Sequence, residues 1–320
     1  MWFDTKHQSG GGTVVADVRS TGGRRSFARI MVPLDGSAAA EGALPVALRI
    51  ARASEGNVHL VWVRPEHRRD TDTAQREIPI RQRYLEGVAE EVGDRLGAPA
   101  SRKVLAGHAA EALCAHAIER DVDLVVMGSR GAGGLWRLGL GSTTKKLVRR
   151  LPMPLIVVRT EDEHEASLDG EVALSRIVVP LDGSEEAEAV LGPAGELAHL
   201  LGGSLTLLRV LAFPMVSAAV YGQHARGFTR ETARQETSDA EDYLDLVASR
   251  LRATGLSAST AVRESDSAGS GILRYLREVD ADLIAITATG RGSSSRLGGT
   301  ASRVLQNAAG PLLVCGPAVV

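Results

Sequence analysis

The 320-residue chain is 44% hydrophobic and 24% charged, with a formal net charge of −2, and this length corresponds to about two domains of ~150 residues each. The balance of 37 basic and 39 acidic side chains argues against binding to nucleic acid through bulk charge. The longest apolar runs, such as Val210 to Val216, fall far short of the ~20 residues that cross a bilayer. The polar N-terminus from Met1 to Arg25 has no secretory apolar segment. We therefore expect a cytoplasmic protein with neither a nucleic-acid nor a membrane partner.

One block of sequence occurs twice in the chain. The segment from Ala28 to Ser37 recurs almost unchanged as Ser175 to Ser184. A repeat of this length is too long for a solenoid and fits a duplicated domain. The second copy carries about twelve extra residues, which we place between Phe213 and Thr229. The predicted organisation is a disordered tail over residues 1–26, a first domain over 27–159, a linker over 160–174 and a second domain over 175–320.

Short β-branched runs alternate with longer segments of helical period in each copy. This alternation is typical of βαβ units. The sequence therefore predicts an α/β fold of two tandem doubly wound domains, each a five-stranded parallel sheet with helices on both faces. In the first copy the predicted strands are Arg29 to Leu34, Val58 to Val63, Arg102 to Leu105, Leu124 to Gly128 and Leu155 to Val158.

The predicted helices follow from capping and periodicity. Ser37 and Ser184 stand before alanine-rich stretches and are expected N-caps of the first helix in each copy. Pro45 and Pro193 fall inside those helices and are expected to kink them. The second helix of each copy has one apolar face, which we assign to the core. Its members are Tyr84, Leu85, Val88, Val92 and Leu96 in the first copy, and Tyr243, Leu244, Val247 and Leu251 in the second.

The two cysteines, Cys114 and Cys315, both lie in apolar stretches. Two isolated cysteines in such surroundings indicate free thiols and no disulfide framework. We expect two buried thiols in a reducing compartment.

A glycine-rich turn follows the fourth strand of the first copy. It matches neither the G-x-x-x-x-G-K-[ST] loop nor a G-x-G-x-x-G turn that opens a helix directly after a strand. Gly128 and Gly131 would let backbone N–H groups approach a ligand, and Gly141, Ser142 and Thr143 would place hydroxyls and free amides at a helix N-terminus. An anion is expected there, although such turns also occur simply for tight packing. Asp35 ends the neighbouring strand and serves either this site or only its own Asp-Gly-Ser turn.

The spacing G-x2-G-x9-G-[ST], with Pro-x-Asp-Gly-Ser after the first strand, resembles the ATP-binding class of universal stress proteins. The resemblance covers both copies and implies a strand order 3-2-1-4-5, a site for ATP with Mg²⁺ between strands one and four, and a homodimer paired along the fifth strand. Unpaired fifth strands, Leu155 to Val158 and Leu312 to Cys315, would leave open hydrogen-bonding edges. We therefore expect the two halves to pair with each other or across a homodimer. The resemblance also implies that Pro33 and Asp35 line the adenosine pocket, and that the backbone at Val63 meets the adenine. Met127, Gly128 and Gly131 would form the floor of the phosphate loop, and Gly141, Ser142 and Thr143 would hold the phosphates.

The second copy matches the same pattern with two departures. Thr287 stands where the first glycine belongs, and eight residues instead of nine separate Gly290 from Gly299. A β-branched residue resists a positive φ and a close approach of the backbone, so we expect the second copy to bind nucleotide more weakly. The residues that the resemblance assigns to this second site are Pro180, Asp182, Val210, Gly290, Gly299 and Thr300.

Three functions from different classes remain. The first is a nucleotide-binding regulatory protein of the stress response with little or slow turnover. The second is a slow ATPase or adenylate-transferring enzyme, in which Asp35 would hold Mg²⁺. The third is a dimerisation scaffold that has lost the ligand. The glycine-rich loop has no histidine, glutamate or lysine at a fixed catalytic spacing, and the eight histidines form no zinc motif, so we assign neither a catalytic residue nor a metal site.

Overall fold

A ten-stranded sheet forms the centre of the protein, whose structure is a computed structural model. The described residues are 26–64, 71–129, 140–159, 168, 170, 172–212, 230–290 and 297–316, with 71–77, 230 and 232 described in their backbone only. Most of the predicted tail, most of the predicted linker and the extra segment from Phe213 to Thr229 lie outside these residues.

The first half of the chain runs from residue 26 to residue 159 and alternates strands with helices. Its elements are β1 (Arg29–Leu34), α1 (Ala38–Glu41), α2 (Leu44–Ser54), β2 (Asn57–Arg64), α3 (Thr71–Leu96), β3 (Ser101–Ala106), α4 (Ala109–Glu119), β4 (Leu124–Gly128), α5 (Ser142–Arg150) and β5 (Leu155–Val158).

The second half runs from residue 172 to residue 316 and repeats this order. Its elements are β6 (Arg176–Pro180), α6 (Glu185–Glu188), α7 (Leu191–Leu201), β7 (Ser204–Ala212), α8 (Arg230–Ala253), β8 (Ser257–Ser265), α9 (Ala268–Glu278), β9 (Leu283–Thr287), α10 (Gly299–Asn307) and β10 (Leu312–Cys315).

The strand order across the sheet is β3-β2-β1-β4-β5-β10-β9-β6-β7-β8. Within each half the strands are parallel, so the predicted order 3-2-1-4-5 is confirmed in both copies. The two five-stranded sheets are continuous, because β5 and β10 pair in the antiparallel sense. The halves of one chain therefore pair with each other along their fifth strands.

Helices cover both faces of the sheet, as predicted. Along β1, Ile30 and Val32 join one layer of the core and Met31 joins the other, which is the alternation expected of a strand with two buried faces. Helices α2, α3, α7 and α8 contribute to the first layer, and α4, α5, α9 and α10 contribute to the second. The first layer is continuous between the halves, where α2 packs against α7. The predicted apolar faces of α3 and α8 belong to this layer, with Leu85, Val92, Leu244, Val247 and Leu251 buried.

The prediction of kinks at Pro45 and Pro193 is wrong. Each predicted helix is two separate helices, and the second one begins just before its proline. Pro45 and Pro193 therefore lie in the first turns of α2 and α7. A proline is tolerated there because the first-turn N–H groups have no partner within the helix.

An ion pair repeated in both halves joins the beginnings of the first and fourth strands. Asp123 accepts hydrogen bonds from the Arg29 amide (2.9 Å) and from its guanidinium (3.5 Å). Asp282 accepts the same two kinds of bond from Arg176, at 2.9 and 2.8 Å. The repeated Arg and Asp thus hold the first and fourth strands of each copy in register.

The two cysteines are free, but their exposure differs. Cys315 is buried in β10, whereas Cys114 in α4 is only partly buried, with its Sγ 3.7 Å from the Arg150 carbonyl oxygen. The prediction of two buried thiols is therefore wrong for Cys114. This residue follows the buried Leu113 on α4 and remains partly exposed to solvent.

Candidate functional site

A cavity of about 430 Å³ opens at the C-terminal ends of β6, β7 and β9 in the second half. Its apolar wall includes Leu208, Ile272 and Val304, and its polar lining includes Arg209 and Thr289. Open α/β sheets bind ligands at this edge, where neighbouring strands lead into separate loops. The cavity brings together all six residues predicted for the second site, namely Pro180, Asp182, Val210, Gly290, Gly299 and Thr300.

The Asp-Gly-Ser turn has the same geometry in both halves. In the second half, Asp182 Oδ1 accepts hydrogen bonds from the Ser184 amide (3.0 Å) and the Ser184 hydroxyl (2.5 Å). In the first, Asp35 Oδ1 accepts them from Ser37 at 3.1 and 2.6 Å. The glycine between them has φ +79° in the first half and +80° in the second, a conformation that other residues rarely adopt. Asp35 therefore does stabilise its own Asp-Gly-Ser turn, one of the two roles considered for it from the sequence.

The serine of each turn is also a helix N-cap, as predicted. The Ser37 hydroxyl accepts from the Ala40 amide and the Ser184 hydroxyl from the Ala187 amide, both at 3.2 Å. One aspartate oxygen is engaged by this capped turn. The other oxygen of Asp182 lies close to the loop after β9, because a Cβ placed on Gly290 would be 2.9 Å from Asp182 Oδ2. The aspartate thus connects the loop after the first strand to the loop after the fourth.

Hydrogen bonds define how the two glycine-rich loops correspond. The Gly141 amide donates to the Ser129 carbonyl, and the Gly298 amide donates to the Ala288 carbonyl, both at 2.9 Å. Gly141 and Gly298 are also the N-caps of α5 and α10. Gly298 is therefore the structural counterpart of Gly141. The sequence analysis had matched Gly141 with Gly299 instead.

This correspondence changes the composition of the second site. Eleven residues separate Ser129 from Gly141, but only nine separate Ala288 from Gly298, so the second loop is two residues shorter instead of one. Gly299 takes the position of Ser142 and Thr300 takes that of Thr143. The second helix N-terminus therefore keeps one of the two hydroxyls present in the first.

The glycine at the end of β4 is required for tight packing, the alternative that the sequence left open. Gly128 does not have a positive φ. A Cβ on Gly128 would lie 2.2 Å from the Ala39 carbonyl oxygen, so α1 packs directly on this position. In the second half Thr287 stands here, and its hydroxyl donates to the Thr289 carbonyl at 2.6 Å. Tight packing, and not a strained loop, explains Gly128.

The first site has the same framework, as far as the described residues reach. β1 lies between β2 and β4, so the ends of these strands come to one edge of the sheet. The Thr144 hydroxyl donates to the Ser129 carbonyl (3.3 Å) and ties α5 to the end of β4. Gly131 lies outside the described residues, with the rest of 130–139. The predicted residues at this edge are Pro33, Asp35, Val63, Met127, Gly128, Gly141, Ser142 and Thr143.

A tyrosine–glutamate hydrogen bond beside each Asp-Gly-Ser turn was missed in the sequence. Tyr84 donates to Glu41 Oε1 (2.5 Å), and Tyr243 donates to Glu188 Oε1 (2.9 Å). Burial, followed by the bond to Glu41, raises the pKa of Tyr84 above its ordinary value, so this phenol stays protonated. The signal was available, because both the tyrosine and the glutamate recur in the second copy. These bonds tie the long helices α3 and α8 to the short helices that follow the turns.

The two sites differ most at the end of the second strand. In the first half Trp62 lies beneath the turn, with a Cβ on Gly36 only 3.0 Å from its ring and the Arg81 guanidinium 4.5 Å above the ring. In the second half the corresponding residue is Arg209, which lines the cavity and donates to the Leu181 carbonyl (3.1 Å). An arginine in an otherwise apolar strand was the sequence signal for this difference.

Metal and membrane features are absent from the described part of the chain. No three histidine, cysteine, aspartate or glutamate side chains there come together in a way that could hold a metal ion. None of the helices described combines the length and apolar character needed to span a membrane.

Comparison with known proteins agrees with the fold and with the duplication of the chain. The sequence model of the universal stress protein family matches residues 26–159 and 174–316. The chain therefore belongs to the universal stress protein family, with two copies of the family's domain in tandem.

Individual relatives are distant. The chain is 25% identical over 147 residues to universal stress protein YxiE of Bacillus subtilis, covering 42% of this chain and 99% of that protein. A Thermus aquaticus universal stress protein is 45% identical over 56 residues, which is 18% of this chain and 41% of that relative's length. The solved structure of a universal stress protein from Archaeoglobus fulgidus superposes with a TM-score of 0.69 at 19% identity, covering 91% of this chain and 99% of the other.

Proposed function

We propose that this universal stress protein binds an adenine nucleotide, ATP, at the C-terminal strand ends and acts as a cytoplasmic regulatory protein of the stress response with little or slow turnover. The observation that carries the proposal is the second-half cavity, which gathers six residues predicted from sequence to form a nucleotide site. The strand order places the first-half counterparts at the equivalent edge.

The cavity suits a nucleotide in size and chemistry. Its volume of about 430 Å³ lies in the range of ~300–1,000 Å³ of small-molecule sites. The apolar side chains Val210 and Ile272 offer a wall for a purine. At the other end, Gly298 and Gly299 open α10 without bulky side chains, so the free N–H groups of that helix are accessible to a phosphate.

The side chains that line this cavity support the proposal of slow turnover. Asp182, Arg209 and several threonines are present, but the described lining includes no histidine, glutamate or lysine to act as a general base. The carboxylate near the loop suits a Mg²⁺ ion that accompanies ATP, and this arrangement is also the one a slow ATPase would use. Steady-state phosphate release separates the two, because binding alone gives no phosphate.

The resemblance to the family implied a homodimer that pairs along the fifth strand. Because β5 and β10 pair with each other, the expected homodimer would need a surface other than these strands. The scaffold function remains the alternative proposal if no nucleotide binds.

Calorimetric titration and thermal unfolding with ATP and Mg²⁺ test the proposal. A ligand that binds only the folded chain raises its stability by about 2.7 kcal/mol at a concentration of 100 Kd, so the unfolding midpoint should increase with ATP concentration. GTP is the matched control, since it has the same phosphates and a different base. No shift at millimolar ATP would reject the proposal in favour of the scaffold, and equal shifts with both nucleotides would reject adenine specificity.

A further inference from the structure

Two histidines of the first half face each other beneath α4, away from the nucleotide site. His59 Nε2 of β2 lies 2.8 Å from His116 Nε2 of α4. His59 Nδ1 lies 2.7 Å from the Ser101 hydroxyl of β3, and His116 Nδ1 lies 3.7 Å from Glu119 Oε2. Each of the four ring nitrogens therefore has a polar neighbour, and the pair connects α4 to the two strands beneath it.

The contact between the two Nε2 atoms depends on the number of protons that the pair carries. In the neutral pair one Nε2–H donates and the other Nε2 accepts. One added proton still leaves an acceptor between the rings. A second proton leaves two N–H groups and two positive charges facing each other across 2.8 Å, so the contact then has to open.

The surroundings of the pair disfavour its protonation. Burial, followed by the charges of His116, Arg120 and Lys103, lowers the pKa of His59 to about 4. Burial and Arg120 also lower the pKa of His116, against the opposing effect of Glu119. A histidine whose pKa is lowered in the folded chain stabilises it fully above the unfolded value of 6.5. That stabilisation is lost as the pH falls from 6.5 towards the folded pKa.

The charged groups near the pair come from a few elements. Lys103 lies on β3, and Glu119 and Arg120 lie at the end of α4. On β1, Met31 is the neighbour of His59 and carries no charge. The contact of α4 with α5 involves Glu111, whose carboxylate binds Arg150 (2.8 Å) and Lys146 (3.6 Å). These groups lie at the opposite end of α4 from Glu119 and Arg120.

The second half provides an internal comparison. Thr206 and Ser259 occupy the ladder positions of His59 and Ser101, and their hydroxyls are 3.1 Å apart. Tyr275 of α9 stands at the position of His116 and is buried, with the Arg263 guanidinium 4.8 Å from its ring centroid. The contact between the two strands is thus made by two hydroxyl groups and not by an imidazole. This layer therefore contains a histidine–histidine contact in the first half and a hydroxyl–hydroxyl contact in the second.

We propose that the His59–His116 contact is an acid-sensitive element that holds α4 on the sheet when the pair is neutral and releases it when both rings are protonated, in the first half only. The Glu111–Arg150 ion pair joins α4 to α5, and α5 begins at the predicted phosphate-binding residues. Arg150 is the last residue of α5, so this ion pair lies at the opposite end of that helix from the phosphate-binding residues, and the histidine contact needs no ligand.

Hydrogen exchange on the full chain, at pH 7 and pH 4.5 with intrinsic rates corrected for pH, tests this proposal. We expect the protection of 109–119 to fall by ~tenfold or more, the change that one pKa unit represents, while that of 268–278 changes little. The double variant H59T/H116Y copies the second half and should abolish the difference. An equal loss in both helices, or an acid effect that persists in the variant, would overturn the proposal.

Proton NMR of the unmodified chain gives a second measurement that does not depend on the variant. The pKa of the His59 ring should lie far below 6.5, the value of an unperturbed histidine. Titration of His59 near 6.5 would overturn the proposal even if the double variant failed to fold.

Discussion

Ile156 of β5 lies directly opposite Leu313 of β10, in the antiparallel ladder that joins the two halves of the chain. Both side chains are fully buried, and each belongs to the layer of the core that also contains α2 and α7. The two halves therefore share a ladder and a continuous apolar layer, and they should unfold as one cooperative unit.

Ile156→Lys should break this cooperation. A charge buried without a partner costs about 3 kcal/mol or more of folding stability. At Ile156 this cost would weaken the β5–β10 contact between the halves. We expect calorimetry to show two transitions in place of one. Ile156→Val is the matched control and should cost about 0.5–1.5 kcal/mol with one transition retained. A single transition in the lysine variant would show that the halves do not depend on this ladder.

The two proposed nucleotide sites should be unequal, with the first binding ATP more tightly. The second loop is two residues shorter, and Gly299 replaces the serine hydroxyl of Ser142. Replacing Gly131 by valine should remove most ATP affinity, whereas Gly290→Val should remove little. Titration calorimetry on both variants decides the question. Equal losses, or a larger loss from the change at Gly290, would contradict the prediction.

Gly128→Thr should destabilise the first half even without ligand. The new Cβ would lie 2.2 Å from the Ala39 carbonyl oxygen, so α1 has to move, and overpacking of this kind costs about 1–3 kcal/mol. The reciprocal change, Thr287→Gly, loses one hydrogen bond and should cost about 1 kcal/mol. Urea unfolding measures both. If both variants lost the same stability, close packing of α1 would not be the reason for Gly128.

The two thiols should react at very different rates with a disulfide reagent. Burial raises the pKa of Cys315 to about 12, whereas Cys114 is only partly buried. The thiolate is the reactive form, so the native chain should show one slowly reacting thiol and the second only after unfolding. Cys114→Ser should abolish the native reaction. Two thiols of equal rate in the native chain would refute this assignment.

The strands and their order could be predicted from sequence to a large extent. The bounds of β1, β4 and β5 are those predicted, because each is a β-branched run between turn residues. The break before Pro45 could not be predicted, since a proline is equally compatible with a kink and with a first turn. The sequence could not decide whether β5 pairs with β10 of the same chain or with a second chain, because the same open strand edge serves either arrangement.

The residues that line the second-half cavity could be predicted from the sequence, but the register of its glycine-rich loop could not. Pro180, Asp182 and Val210 could be predicted at the cavity because the first two strands of the two copies align without gaps. Gly298 was missed because two adjacent glycines look alike in sequence, and only the hydrogen bond to Ala288 distinguishes them. Arg209 was missed for a different reason. A family pattern describes what copies share, whereas this residue is a difference between them.

In the described part of the chain, β3 and β8 are the two outer strands of the continuous sheet. Exposed strand edges can add further strands and so promote growth of fibres. Here β3 presents the exposed Arg102 and Lys103, and β8 presents the exposed Arg263 and Glu264. Charged side chains on an edge oppose the docking of another strand. Because β5 and β10 pair with each other, neither is left as an open edge where the halves meet. The remaining edges of this ten-stranded sheet, β3 and β8, carry charges that oppose further strand addition.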